Sequence, residues 1–138
     1  MRNEKKAAQK ILKESFVGTM ATVQQNKPHT RYMSFFSDEF TLYTVTSKQT
    51  QKVDELEANP HTHILIGYEG KGFGDDYLEI EGTVTISSDE TMKEKVWNKL
   101  LKPWFSGPDD PNLVILKISP DSIRLMNKKG EEPQVIEF

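Results

Sequence analysis

Along this 138-residue chain the apolar positions recur either every three to four residues or every two, and each change of spacing marks a new element. Residues 4–15, EKKAAQKILKES, put Ala8, Ile11 and Leu12 on one face ahead of Phe16, the pattern of a short amphipathic helix. VGTMATV then alternates from Val17 to Val23, QQNKP supplies turn residues, and HTRYMSFF from His29 to Phe36 reads as the second strand of a hairpin. A turn at Ser37 to Phe40 leads into TLYTV, which completes a three-strand meander.

Thr46 and Gln49 fit a capping box for a second helix, with Val53 and Leu56 on one face and Asn59-Pro60 as the stop. HTHILIGY from His61 to Tyr68 reads as a buried strand, and EGKGFGDD from Glu69 to Asp76 as a Gly-rich loop. In YLEIEGTVTI, Leu78, Ile80, Gly82, Val84 and Ile86 share one face of a strand and Glu79, Glu81, Thr83 and Thr85 the other. Ser87 and Glu90 form a second capping-box match, opening a helix with Met92, Val96 and Leu100 in line and a stop before Pro103. After the loop KPWFSGPDDP come LVILKI and SIRLM, read as two strands about a Ser-Pro-Asp turn, and a frayed tail NKKGEEPQVIEF. About six or seven strands and three helices predict one mainly β (α+β) domain over 1–138, a small antiparallel barrel with peripheral helices.

Composition narrows the partners. With 36% hydrophobic and 28% charged residues the chain reads as a soluble globular domain, one that would bury more surface by sharing a face with a second copy. A net charge of −3 offers no general attraction for nucleic acid or an anionic membrane, so an anion would need a local site. The absence of Cys removes disulfides, thiolate nucleophiles and Cys-based metal sites. Neither a signal segment nor a membrane span is evident, and the expected location is cytoplasmic.

The candidate local site is Arg31, on a strand, with Thr46, Ser47, Lys48, Thr50, Gln51 and Lys52 at a helix start one strand later. Hydroxyls, free helix N–H groups, a guanidinium fork and an ammonium together suit a phosphate. The competing reading is a capped surface helix with solvated lysines, and spacing leaves the two open.

The run R-Y-M-S-F-F, the strand end L-Y-T, the helix start T-Q-K-V-D-E-L and its closing A-N-P resemble the flavin-binding core of the pyridoxamine 5′-phosphate oxidase superfamily. G-P-D-D-P-N-L-V-I-L-K-I-S-P resembles the general stress protein 26 group within it. The resemblance runs from about Phe16 to Met126 and implies a split β-barrel homodimer with flavin mononucleotide (FMN) at the subunit interface. It implies Arg31 and Lys52 as phosphate ligands with Thr50 and Gln51 beside them, and Tyr32, Met33, Tyr43 and Thr44 along the ribityl chain and ring edge. About two extra residues between Tyr43-Thr44 and Thr50-Gln51-Lys52 keep Ser47 and Lys48 as competitors. Flavin adenine dinucleotide (FAD) is the alternative cofactor.

Two departures argue against pyridoxamine-phosphate oxidase activity itself. Phe36 stands where those oxidases carry a Lys five residues after the strand Arg, and the C-terminal segment lacks their basic phosphate grip. The expected function is therefore that of a flavin-dependent oxidoreductase of unnamed substrate, catalytic residues unknown, or else of a flavin-binding storage or sensing module without turnover. Trp104, in a loop, is the candidate ring cover, and Trp97 reads as core. His61 and His63 share a strand face without a third metal ligand, and Asp75-Asp76 and Asp109-Asp110 read as turn groups.

Overall fold

The computed structural model describes residues 3–70, 75–127 and 130–138. The chain runs α1 (Asn3–Glu14), β1 (Val17–Gln24), β2 (Lys27–Ser34), β3 (Phe36–Asp38), β4 (Thr41–Ser47), α2 (Gln51–Ala58), β5 (His61–Ile66), β6 (Tyr77–Ser87), α3 (Glu90–Val96), a single 3₁₀ turn (Lys99–Leu101), β7 (Leu113–Met126) and β8 (Gln134–Val135). Every strand pairing is antiparallel, in the order β2-β1-β5-β6-β7-β4-β3 with β8 added to β7.

The two ends of that order, β2 and β3, are consecutive in the chain, so the sheet must curl until its edges approach. Phe35 makes the corner: its N–H donates to Phe16 O at 2.7 Å, and the Thr44 hydroxyl on β4 donates to Ser34 O at 2.7 Å. The result is the expected split barrel, although β4 pairs with β3 and β7 rather than completing a meander with β2. The β1–β2 hairpin closes through Gln25 and Asn26, both at positive φ, a two-residue turn whose twist matches that of its strands.

Inside the curl, Met20, Leu42, Ile64, Leu78, Ile80, Leu116, Ile118, Ile123 and Leu125 are fully buried, as the alternation of β1 and β6 predicts. Each such side chain contributes about 1.5–3 kcal/mol of transfer free energy. This interior therefore outweighs any helix cap. On the other face of β4 and β7 a second cluster gathers Leu113, Ile115, Val96 and Phe105, with Tyr43, Val45, Trp97 and Leu101 against it.

Four local expectations are corrected. LVILKI and SIRLM form one strand, since the Ser-Pro-Asp segment is absorbed as a bulge: Glu81 pairs with Ser122 and Gly82 with Pro120, leaving Asp121 to accept from the Thr83 hydroxyl. A Cβ on Gly82 would stand 2.7 Å from Ile118, so glycine suits this close approach. The tail is not frayed from Gln134 onward, because β8 pairs with β7 and Ile136 is buried. Thr50, not Thr46, is the N-cap of α2, and its side chain makes no cap bond. Asp89, not Ser87, caps α3 by accepting from Thr91 and Met92 N–H, and that helix ends at Val96 with Leu100 left exposed. Lys71 to Gly74 of the Gly-rich loop lie outside the described residues.

Candidate functional site

β1 and β2 set the site's geometry through their register. Thr22 lies opposite His29 and Met20 opposite Arg31, so Thr22 and Arg31 are diagonal neighbours on the inward face. α2 packs across this corner, and Lys52 and Glu55, three residues apart, lie on one side of the helix with Leu56.

The three elements converge on the Glu55 carboxylate, whose side chain is 1% exposed. Oε1 accepts from the Thr22 hydroxyl at 2.5 Å, Oε2 accepts from His29 Nδ1 at 3.0 Å, and Arg31 Nη2 stands 3.5 Å from Oε1. Arg31 Nη1 in turn donates to the Thr22 hydroxyl at 2.8 Å and to Met20 O at 3.3 Å. The Thr22 hydrogen bond, opposed by desolvation and aided by His29 and Arg31, holds the Glu55 pKa below the ordinary carboxylate value. Glu55 is thus an ionised carboxylate inside the fold.

Lys52 reaches the same corner from the helix start. Its ammonium donates to Thr46 Oγ1 at 2.7 Å and Thr50 Oγ1 at 3.4 Å, while the Thr50 hydroxyl donates to Ser47 O at 2.9 Å. Burial first and the Arg31 charge second lower the Lys52 pKa, with Glu55 opposing them. Lys52 feels both the Arg31 charge and the Glu55 carboxylate, and Arg31, Lys52 and Glu55 together carry a formal charge of +1. Such a corner attracts an anion.

Thr46, Ser47 and Thr50 also line one part of a groove of about 870 Å³, whose walls include Phe16, Tyr32, Met33, Thr44, Leu101 and Trp104. Tyr32 and Trp104 are 79% and 73% exposed, aromatic planes with little of their own to cover. The structure therefore brings Tyr32, Met33, Thr44, Thr50 and Trp104 together on this groove, with Lys52 linked to it through the Thr46 and Thr50 hydroxyls, while Arg31 is held behind it by the buried Thr22 hydroxyl.

Tyr43, Lys48 and Gln51 are not part of that lining. Tyr43 lines a smaller depression with Asp38, Lys95 and Trp97 that adjoins the groove, Phe36 and Asn98 bordering both. Gln51 is exposed and donates to Gln24 Oε1 at 2.7 Å. Ser47 Oγ accepts from Gln49 N–H and Lys48 is exposed. His63 lies 3.5 Å from Glu79 Oε2, and among the described residues no group of three His, Asp or Glu side chains could hold a metal ion. Asp110 accepts from the N–H groups of Ser106 and Asn112, a turn role.

Sequence reasoning missed Thr22, His29 and Glu55. A usable signal existed in the alternation, because Thr22 stands at an inward position after Gly18 and Met20, where an apolar residue is the norm.

Comparison with known proteins follows the same outline. The family model for pyridoxamine 5′-phosphate oxidase matches residues 4–127. General stress protein 26 of Bacillus subtilis (strain 168) is 51% identical over 128 residues, covering 93% of this chain and 91% of that protein. The crystal structure of general stress protein 26 from Bacillus anthracis str. Sterne is 36% identical, with a TM-score of 0.86 over 97% of this chain and 98% of that one. A solved F420 reductase is 25% identical at a TM-score of 0.65, covering 83% of this chain and 94% of that one. Matched from residue 4 to residue 127 and so similar to these relatives in sequence and fold, the chain belongs to the pyridoxamine 5′-phosphate oxidase family.

Proposed function

We propose that this chain is a single-domain, cytoplasmic flavoprotein that binds FMN, with its phosphate at Arg31 and Lys52 and its ring along the aromatic groove. The observation that carries the reading is the paired cations: Lys52 is half-buried on the Thr46 and Thr50 hydroxyls and within the field of Arg31, with the single Glu55 carboxylate beside Arg31. A phosphate dianion would offset that repulsion, and Thr46 and Thr50 would add hydroxyl donors. Donors at one end and Tyr32, Met33, Leu101 and Trp104 along the walls fit a ligand with an anionic head and a flat apolar body. FAD meets the same anchor if its adenylate runs out over the surface.

Bound flavin would accept or deliver hydride, and the protein's own part is to fix the phosphate, orient the ring and exclude water from its apolar side. The groove lining holds no Asp, Glu, His, Lys or Arg among the described residues. Any oxidoreductase activity would then draw no acid or base from that wall, and the same observation favours a second reading, a flavin store or sensor without turnover. The F420 reductase resemblance supports the redox reading, and the general stress protein 26 relatives support a role in stress. Phe36, and not a Lys, stands five residues beyond Arg31, which supports a substrate other than pyridoxamine phosphate.

We also propose that the working unit is a homodimer with flavin at the interface. Tyr32 borders both the groove and a second depression on the outer sheet face beside Val17, Leu65 and Tyr68, all exposed. A copy seated there would cover Tyr32 and abut the groove. Denaturing the purified protein and identifying the released chromophore tests the cofactor, and light scattering tests the dimer. Colourless protein that takes up neither FMN nor FAD overturns the flavin reading. Anaerobic reduction with NADPH or NADH followed by acceptor turnover separates enzyme from storage module.

A further inference from the structure

Glu55 poses a problem for an anion site. Electrostatics alone makes a carboxylate beside Arg31 and Lys52 unfavourable to a bound phosphate, and burying it is costly. Its geometry gives it another task. Glu55 Oε1 faces Arg31 Nη2, and the same oxygen receives the Thr22 hydroxyl that Arg31 Nη1 donates to, so carboxylate and hydroxyl hold both ends of one guanidinium. Met20 O takes a further N–H of Nη1, and His29 fixes the other carboxylate oxygen from β2. Arg31 is thereby clamped in one orientation before any ligand arrives.

We infer that Glu55 is a positioning residue for the anion site, acting through Thr22 to preorganise Arg31. The inference rests on the flavin reading for its ligand but not for its structural content. Preorganisation removes from binding the entropy cost of ordering a long side chain, and here that gain exceeds the repulsion the carboxylate introduces.

The two effects predict opposite signs for Glu55→Gln, which keeps shape and removes charge. If charge dominates, FMN binds the variant more tightly. If positioning dominates, FMN binds it about tenfold more weakly, the scale of one lost charged hydrogen bond. In an Arg31→Ala background the same Glu55→Gln change would then alter FMN affinity by less than about twofold, because no guanidinium remains to position.

A ligand-independent readout accompanies the titrations. In ¹⁵N-labelled, flavin-free full-length protein, the Arg31 Nη protons should give separate, slowly exchanging resonances that merge in Glu55→Gln. Unchanged Arg31 resonances, or equal or tighter FMN binding by a folded Glu55→Gln variant, overturn the inference and leave the flavin reading standing. Wild-type protein that takes up no FMN yet loses the hindered Arg31 resonances in Glu55→Gln overturns the flavin reading and keeps the clamp. Should circular dichroism show Glu55→Gln unfolded, Thr22→Val removes the bridging hydroxyl instead, and the same merging of Arg31 resonances is expected.

Discussion

Among the described residues two Glu–Arg–His trios occur, and their contrast separates a candidate site from a surface pairing. Glu79 on β6 meets Arg124 on β7 and His63 on β5, across three adjacent strands on the outer sheet face. Glu55 meets Arg31 and His29 at the corner under α2. The residue types are the same, but the Glu side chain is 17% exposed in the first and 1% exposed in the second, where a Thr hydroxyl and a second cation also take part. Water screens the outer trio and does not reach the inner carboxylate. What such a trio can do therefore follows its surroundings rather than its membership.

The largest expected effect is on stability. Glu55→Ala leaves Arg31 without its carboxylate and opens a polar hole, at a cost of about 3 kcal/mol or more, whereas Glu79→Ala costs less than about 1 kcal/mol. Urea titrations of the two variants compare them directly, and equal losses would erase the distinction between the trios. Acid adds a signed check. Glu55 has its folded pKa lowered, so its stabilisation is present above the ordinary glutamate pKa and is lost as pH falls through the lowered one. Glu55→Gln should accordingly flatten the acid limb of the stability curve.

Next in size are the cations. Arg31→Ala or Lys52→Ala is expected to weaken FMN binding by about 1.5–3 kcal/mol each, the range for a lost hydrogen bond to a charged group. Fluorescence titration reads this, and unchanged affinity in both variants removes the phosphate assignment.

The sequence makes one of these regions more legible than the other. Strand faces follow from alternation, so β1 and β6 are read correctly down to Gly82 on the apolar side. β7 is misread as two strands because Ser119-Pro120-Asp121 has turn chemistry, and only a partner strand with room for one extra residue turns that chemistry into a bulge. Arg31 and Lys52 are legible as cations at a strand and a helix start. Glu55 is not, since a Glu on a short helix reads as solvated until the β1–β2 register puts Thr22 and His29 against it. Thr46 looks like a cap by its spacing to Gln49, but β4 extends through Ser47 and turns its hydroxyl toward Lys52 instead.

A smaller effect separates Lys52 from Arg31 by pH. Burial and the Arg31 charge lower the Lys52 pKa, so the ammonium loses its proton earlier on the alkaline side than an exposed lysine does. FMN affinity should fall as pH rises through that lowered value, by up to about tenfold for one charged hydrogen bond. Lys52→Arg stays charged throughout, and its pH profile, carrying any titration of the flavin itself, is the baseline against which the wild-type fall is measured. Parallel profiles would mean that Lys52 does not touch the phosphate.

The smallest expected change is the one that probes the boundary between the two trios. Arg124→Ala should leave FMN affinity within about twofold of wild type and cost less than about 1 kcal/mol of stability, because the pair it breaks is open to solvent on the Arg124 side, 41% exposed. The same outer face, however, carries Leu65 opposite Glu79 and Tyr32 opposite Thr19, and Tyr32 borders the groove. If a second copy covers that face, Arg124 is desolvated in the dimer and its loss acts at the interface. Affinity that falls for Arg124→Ala only at protein concentrations near the dimer dissociation point would assign the outer trio to assembly and still leave the phosphate to the inner one.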